Sequence, residues 1–267
     1  MTAGSPARYA IIGDPIVHSL SPAMQTAAFA ASEWNATYSA LRTDIAGLPA
    51  LISRFRREAW AGFNATTPLK EALLPLVDEL TPEAKRVGGV NVARLDGERI
   101  VGHNTDGSGM LDSLAENWPG TLRGVRVLVL GAGPAARAIG IALADAGAIV
   151  ACWSRTLERA RLVGPQPSGL ASIVVSALPS DANVPDEILA HIAGDALIAD
   201  ANYHAARSPV PSNVGATRID GLGMLLHQGA RSFEWWTGLP APLAAMRDAL
   251  ANASGRAARP RAESTSR

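Results

Sequence analysis

A chain of 267 residues, 48% hydrophobic and 18% charged, is long enough for one large core or two smaller ones with a cleft between them, and its composition excludes a disordered protein. Lys plus Arg and Asp plus Glu balance at 24 each, so no global field recruits nucleic acid or an anionic membrane surface; a small-molecule partner is expected instead. The single cysteine, Cys152, excludes an internal disulfide framework and a cysteine-based zinc site, and it fits a reducing, cytoplasmic setting.

Taken in chain order, residues 1–8 hold no basic region followed by an apolar core. No run approaches the ~18 apolar residues of a membrane span, so neither a signal peptide nor a span is expected. Short apolar runs then alternate with helical patterns: a strand over 9–12, a helix over 22–34, a strand over 36–41 and a helix over 48–57. A strand over 62–66 follows, and runs at 90–95 and 99–103 flank Asp96-Gly97 in the manner of a hairpin. An antiparallel pair thus interrupts α/β alternation, which predicts a mixed sheet.

From Gly124 the alternation restarts. The run Val125-Arg126-Val127-Leu128-Val129-Leu130 suits a strand buried on both faces, and further strands are expected over 148–153, 172–177 and 196–200 with helices between them. That order belongs to a nucleotide-binding domain. Amphipathic stretches over 222–235 and 240–251 have no strand after them and are expected to pack back on the first domain. Residues 255–267 mix Arg, Ser and Pro without large apolar side chains and read as a disordered tail.

Gly131-Ala132-Gly133-Pro134-Ala135-Ala136 follows a strand and opens a helix, the Gly-x-Gly-x-x-Ala form of the dinucleotide fingerprint. Glycines let backbone amides at a helix N-terminus approach a pyrophosphate, and Pro134 fits the first turn, where a missing N–H costs little. The alternative is a tight turn with no ligand. The next strand end bears on the cofactor: NAD sites place an acidic residue about 20 residues after the glycines, whereas NADP sites use Arg against the 2′-phosphate. Here the place reads Cys152-Trp153-Ser154-Arg155-Thr156, with Arg159 one turn later, and no carboxylate ends the strand. Ser154 and Thr156 offer hydroxyls and the arginines planar charge, which points to NADP.

Four polar clusters stand where strands of the first half should end: 13–22 with His18-Ser19-Leu20-Ser21-Pro22, 62–70 with Asn64-Ala65-Thr66-Thr67-Pro68-Leu69-Lys70, 88–91 ending in Asn91, and 102–107 with Asn104-Thr105-Asp106-Gly107. Such strand ends form the mouth of an α/β site. With these motifs in this order, the sequence resembles the shikimate dehydrogenase family, including shikimate/quinate dehydrogenases. The resemblance continues through the glycine loop, Arg155-Thr156, Asp200 with Tyr203, Gly221 to Met224, and Gln228.

The resemblance implies NADP-dependent, reversible reduction of 3-dehydroshikimate to shikimate, in the shikimate pathway of aromatic amino-acid biosynthesis. It implies an N-terminal substrate-binding catalytic domain over 1–105, completed by 225–254, and a Rossmann NADP-binding domain over 106–224. Lys70 and Asp106 match the catalytic positions, and the residue chemistry agrees, because a reduced ketone needs a proton that a Lys beside an Asp can supply. Seen singly, they read as a solvated lysine and a turn aspartate. Ser19 and Ser21 match hydroxyls on the substrate carboxylate, although Ser21 before Pro22 also suits a helix cap. Thr66, Asn91, Asp106 and Gln228 match groups on the ring hydroxyls, and Tyr203 a substrate-facing phenol or a half-buried strand-end tyrosine.

Ala177, Gly221 and Met224 are also expected to bind the cofactor, Met224 as an apolar neighbour of the nicotinamide, although it also suits a core. Asn64 reads as a loop-holding residue. His18, His103, His191, His204 and His227 lack metal-ligand spacing, so no metal is expected. Departures from the family pattern are Pro134 for a glycine, Ser154 for Asn, Val92 for Thr, a shortened 176–180 segment, and 204–207 without a proline-rich turn. Alternatives are a quinate/shikimate dehydrogenase, a relative acting on a modified shikimate, or a non-catalytic NADP-binding regulator. A monomer and a homodimer both fit.

Overall fold

Two sheets account for the alternation read from the sequence, in a computed structural model that describes residues 5–203 and 208–255. The first sheet is built from β1 (Ala7–Gly13), α1 (Ser21–Ala31), β2 (Ala36–Arg42), α2 (Leu48–Arg57) and β3 (Gly62–Ala65). α3 (Leu69–Ala72), a 3-10 turn (Leu74–Leu76), β4 (Glu79–Leu80), α4 (Pro82–Val87) and the hairpin of β5 (Val92–Asp96) and β6 (Arg99–His103) follow. The strand order is β2-β1-β3-β5-β6-β4. β5 runs antiparallel to β3 and β6, and the other pairs are parallel, as the interrupted alternation predicts.

α5 (Asp106–Ala115) leads to the second sheet, whose strands are β7 (Arg126–Leu130), β8 (Ile149–Trp153), β9 (Ala171–Ser176), β10 (Ile192–Asp200) and β11 (Thr217–Ile219). They are all parallel, in the order β11-β10-β9-β7-β8. α6 (Pro134–Asp145), α7 (Leu157–Ala160) and α8 (Asp186–Leu189) lie between them, and α9 (Gly221–Thr237) and α10 (Leu243–Ala253) close the described chain. A parallel sheet covered on both faces has no solvent side, which is why β7 and β9 read as continuous apolar runs.

Local sequence explains the helices. α2 buries Leu48, Ile52 and Phe55 along one stripe, and Arg54, Arg56 and Arg57 in its last turn complement the dipole. α4 starts at Thr81, whose hydroxyl accepts from the Ala84 N–H, and ends at Gly88 in the left-handed region. Each sheet separates two apolar clusters. Tyr9, Phe29 and Trp236 stand on one face of the first sheet and Phe55, Phe63 and Leu69 on the other; Met110, Val129 and Ile139 stand opposite Leu128, Val184 and Ile198 on the second.

α9 belongs to both halves. Met224 in its first turn packs in the second sheet's cluster, whereas Leu225, Leu226, Phe233 and Trp236 pack in the first sheet's cluster with Met246 and Leu250 of α10. Trp236 Nε1 also donates to the Ala93 carbonyl at 3.0 Å. The C-terminal helices therefore pack back on the first sheet, as expected. Neither β4 nor β11 is visible in the sequence pattern, and β10 begins at Ile192, with an irregularity in its pairing before Leu197. The tail over 256–267 and the 204–207 segment lie outside the described residues.

Candidate active site

Segments that follow β1, β3, β9 and β10 meet the first turns of α5, α6 and α9 around a cleft of about 640 Å³. Polar groups gathered at the carboxyl ends of strands, between two halves of a chain, are the usual setting for an α/β site. Ser19, Ser21, Thr66, Lys70, Asn91, Asp106, Tyr203 and Gln228 all line it, so residues from one end of the chain to near the other converge.

Lys70, in α3, places Nζ 2.6 Å from Asp106 Oδ2 at the start of α5, with only 14% and 5% of the two side chains exposed. Asp106 Oδ1 accepts from Asn91 Nδ2 at 2.8 Å. Asn91 also donates to Thr105 Oγ1 at 3.0 Å, and its Oδ1 accepts from the Thr105 N–H at 2.8 Å. Asn104 closes the turn, accepting from the Asp106 N–H at 3.0 Å and donating to the Gly89 carbonyl at 2.9 Å. Both Asp106 oxygens are thus committed, and the Lys70 carbonyl accepts from the Val90 N–H at 2.8 Å, tying the two motifs through backbone.

A buried polar chain supports this pair from behind. Tyr38 OH donates to Asn64 Oδ1 at 2.7 Å, and Asn64 Nδ2 donates to Ser232 Oγ at 2.9 Å. Ser232 and Thr105 both donate to the Gln228 carbonyl, at 2.9 and 3.1 Å. Asn64, expected to hold a loop, stands in strand β3 with both ends of its amide engaged, and it also lines the cleft. Tyr203 shares a hydrogen bond with the Ser19 hydroxyl, and burial, partly offset by that bond, raises its phenol above the ordinary value. Leu20 holds the N-cap position of α1 and Ser21 is the helix's first residue, so Ser21 does not occupy the cap position that its place before Pro22 suggested.

On the other side of the cleft, β8 pairs with β7 so that Trp153 stands beside Leu130, and the Gly131 N–H donates to the Trp153 carbonyl at 2.8 Å. This register brings Ser154, Arg155 and Thr156 beside the Gly131-Ala132-Gly133 turn. Gly131 has φ +114°, and a Cβ there would come within 3.1 Å of the Ala177 carbonyl. Gly133 is the N-cap of α6 and Pro134 sits at its first turn. A Cβ on Gly133 would enter open space, so this backbone is approachable.

Ala135, Ala177, Gly221 and Met224 line the cleft itself, Met224 being also a core residue. Arg155 is exposed, whereas Arg159 is ion-paired to Glu71 at 2.9 Å. Among the described residues no cluster of His, Cys, Asp or Glu could hold a metal ion.

Two departures from the family pattern have physical accounts. Pro134 packs against Gly89, where an added Cβ would come within 2.9 Å of the proline ring. Val92 is fully buried in the cluster with Tyr38 and Phe29, so an apolar side chain suits the position. Sequence reasoning passed over Thr105, Glu71 and Arg137. Arg137 donates to the Val87 and Gly88 carbonyls at 2.8 and 2.9 Å and so binds α6 to α4 across the cleft. Its place one turn into the glycine-loop helix was the available signal.

Known proteins share this fold. The model of the shikimate dehydrogenase substrate binding domain matches residues 11–93, and that of the shikimate 5'-dehydrogenase C-terminal domain matches residues 221–251. Shikimate dehydrogenase (NADP(+)) of Desulfitobacterium hafniense (strain Y51) is 35% identical over 264 residues, covering 91% of this chain and 96% of its own.

The crystal structure of shikimate 5-dehydrogenase from Thermus thermophilus in complex with NADP(H) and shikimate superposes with a TM-score of 0.81 at 35% identity. It covers 92% of this chain and 99% of its own. The ligand-free 5-ketofructose reductase of Gluconobacter sp. strain CHM43 also shares the fold, with a TM-score of 0.77 at 28% identity over 92% of this chain and 98% of its own. A motif order read from the sequence, a cleft between two sheets and relatives aligned over nine-tenths of the chain converge: the chain belongs to the shikimate dehydrogenase family.

Proposed function

We propose that this chain is an NADP-dependent shikimate dehydrogenase that reversibly reduces 3-dehydroshikimate to shikimate in aromatic amino-acid biosynthesis, acting in the cytoplasm as a monomer or homodimer. The observation that carries this reading is the Lys70–Asp106 pair, 2.6 Å apart in the wall of a cleft that also borders the glycine-loop helix. Among the described residues no helix is long and apolar enough to cross a membrane. The working division is a catalytic domain over 1–105, completed by 225–254, and a cofactor domain over 106–224.

The β7–α6 turn fits a dinucleotide, because a Cβ at Gly133 would fill the open space before the α6 amides. Gly131, Ala132, Gly133, Pro134 and Ala135 would hold the pyrophosphate, and Ser154, Arg155, Thr156 and Arg159 the 2′-phosphate, with Ala177, Gly221 and Met224 bordering the nicotinamide. NADPH, when bound, supplies the hydride. Ser19, Ser21 and Tyr203 anchor the substrate carboxylate, and Thr66, Asn91 and Gln228 orient the ring hydroxyls.

Lys70 gives a proton from Nζ to the ketone oxygen as that oxygen gains charge, and Asp106 Oδ2 keeps Nζ in place throughout. In the oxidative direction Lys70 receives the hydroxyl proton. Asn91 holds Asp106 Oδ1, so the carboxylate does not rotate away between the two roles.

Steady-state turnover of shikimate and quinate, each with NADP and NAD, tests the reading. Shikimate with NADP is expected to be the best pair, and Lys70→Ala to lower kcat about 10²- to 10⁴-fold while NADP binding persists. A strong NAD preference removes the role given to Arg155. Equal turnover of quinate moves the assignment to a quinate/shikimate dehydrogenase, and a wild-type kcat in Lys70→Ala sinks the proton-transfer scheme.

A further inference from the structure

Glu71 follows Lys70 directly, on the substrate side of the cleft, yet its carboxylate is held by two arginines of the cofactor side. Arg137 Nη2 lies 2.8 Å from Oε1. Arg159 Nη2 lies 3.0 Å from Oε1 and 2.9 Å from Oε2. The two arginines differ in freedom. Arg137 is 9% exposed and anchored on the Val87 and Gly88 carbonyls, whereas Arg159 is 51% exposed on the short helix α7. Arg155, one turn before Arg159, is exposed and has no ion-pair partner among the described residues. Burial opposes a charge on Glu71, but the two arginines outweigh it and hold the carboxyl below its ordinary range, so Glu71 is an anion at neutral pH.

We infer that Glu71 is a cofactor-specificity residue: its carboxylate holds Arg159 in the place of the 2′-phosphate, and a 2′-phosphorylated dinucleotide must exchange with it. The inference rests on the NADP reading and extends it. A guanidinium presents the same planar donors to a carboxylate and to a phosphate, so the two anions compete for one side chain. The phosphate carries the greater charge, about −1.5 to −2, which favours the exchange.

NAD lacks that phosphate and leaves the Glu71–Arg159 bridge closed. The exchange also takes place one residue from Lys70, and it releases one of the bridges that tie α3 to the cofactor side while Arg137 keeps Glu71 in position. Glu71 thus lowers NADP affinity without touching the dinucleotide and sets how large the preference over NAD becomes.

Calorimetric titration with NADP and with NAD tests this without recourse to turnover. Glu71→Gln is expected to bind NADP about two- to five-fold more tightly than wild type, the range set by an exposed ion pair, and NAD equally well. Glu71→Asp retains the charge but is one methylene short of spanning both arginines, so it shifts NADP affinity in the same direction. In an Arg159→Gln background, Glu71→Gln changes nothing. Equal NADP affinity in wild type and both Glu71 variants overturns the inference. So does a gain that persists in the Arg159→Gln background, which assigns it to the general loss of a negative charge. Wild type that binds neither dinucleotide overturns the inference together with the NADP reading, a result distinct from the first two.

Discussion

Asn91 directs its amide chiefly at two neighbours, with a longer contact to Gln228 Oε1 at 3.5 Å. Nδ2 donates to Asp106 and Thr105, and Oδ1 accepts from the Thr105 N–H. Truncation by Asn91→Ala leaves buried donors and acceptors unpaired on two residues, which costs about 1–3 kcal/mol for each group. It also frees Asp106 to turn from Lys70, so kcat is expected to fall at least about tenfold, since small misplacements at a reacting centre are costly. Denaturant unfolding and steady-state kinetics on one preparation measure both effects. A variant that loses stability but keeps kcat separates Asn91 from the alignment of Asp106.

The identities of Lys70, Asn91 and Asp106 were legible as motif residues. Their adjacency was not, because positions 70 and 106 meet only through the β3–β5–β6 arrangement. Glu71 and Arg137 escaped notice for another reason. A charged residue on a helix reads by default as a solvated one, and only tertiary contact shows which are bound.

Strands and helices with clear periodicity were legible nearly to their ends, as in the run 9–12 within β1 and the run 172–177 against β9. What the pattern missed was short, such as two-residue β4 and three-residue β11, which hold too few residues to show alternation. α5 was missed on composition. Its first turn, Asp106-Gly107-Ser108-Gly109, contains poor helix formers and reads as loop. The glycines have a packing reason. A Cβ on Gly109 would stand 2.6 Å from the Gln228 backbone nitrogen, and one on Gly107 would stand 2.4 Å from the Ala138 carbonyl.

α5 thus lies directly against α6 and α9, and tertiary contact offsets its low propensity. In Gly109→Ala the obstructing atoms are the Gln228 backbone nitrogen, Cα and Cβ, none of which a side-chain rotation can move aside. The substitution is expected to cost about 1–3 kcal/mol and to raise the KM for shikimate more than that for NADP, because Gln228 moves with α9. Thermal melts and the two KM values decide it; a change confined to the NADP KM would place the strain on α6 instead.

Across the whole molecule, each sheet has its own pair of apolar clusters, and the links between the halves are of a different kind. They include α9, which enters a cluster of each; the Lys70–Asp106 pair; the Glu71 bridges to Arg137 and Arg159; the Arg137 bonds to α4; and the exposed pair of Arg86 with Asp145 at 2.6 Å. The two-part division was legible because the hydrophobic pattern restarts after Gly124. How the halves meet was not, since it depends on contacts such as Arg137 with Val87 that have no periodic signature.

A cleft bordered by both halves has a thermodynamic consequence. Either ligand alone at about 100 times its Kd stabilises the chain by about 2.7 kcal/mol, a rise of roughly 5–10 °C in Tm for a protein of this size. The first ligand also orders groups that the second would otherwise have to order, so the second binds more tightly than it does alone. The Tm shift with NADP and shikimate together is therefore expected to exceed the sum of the separate shifts. Strict additivity in a thermal melt would mean that the halves are already fixed before either ligand arrives.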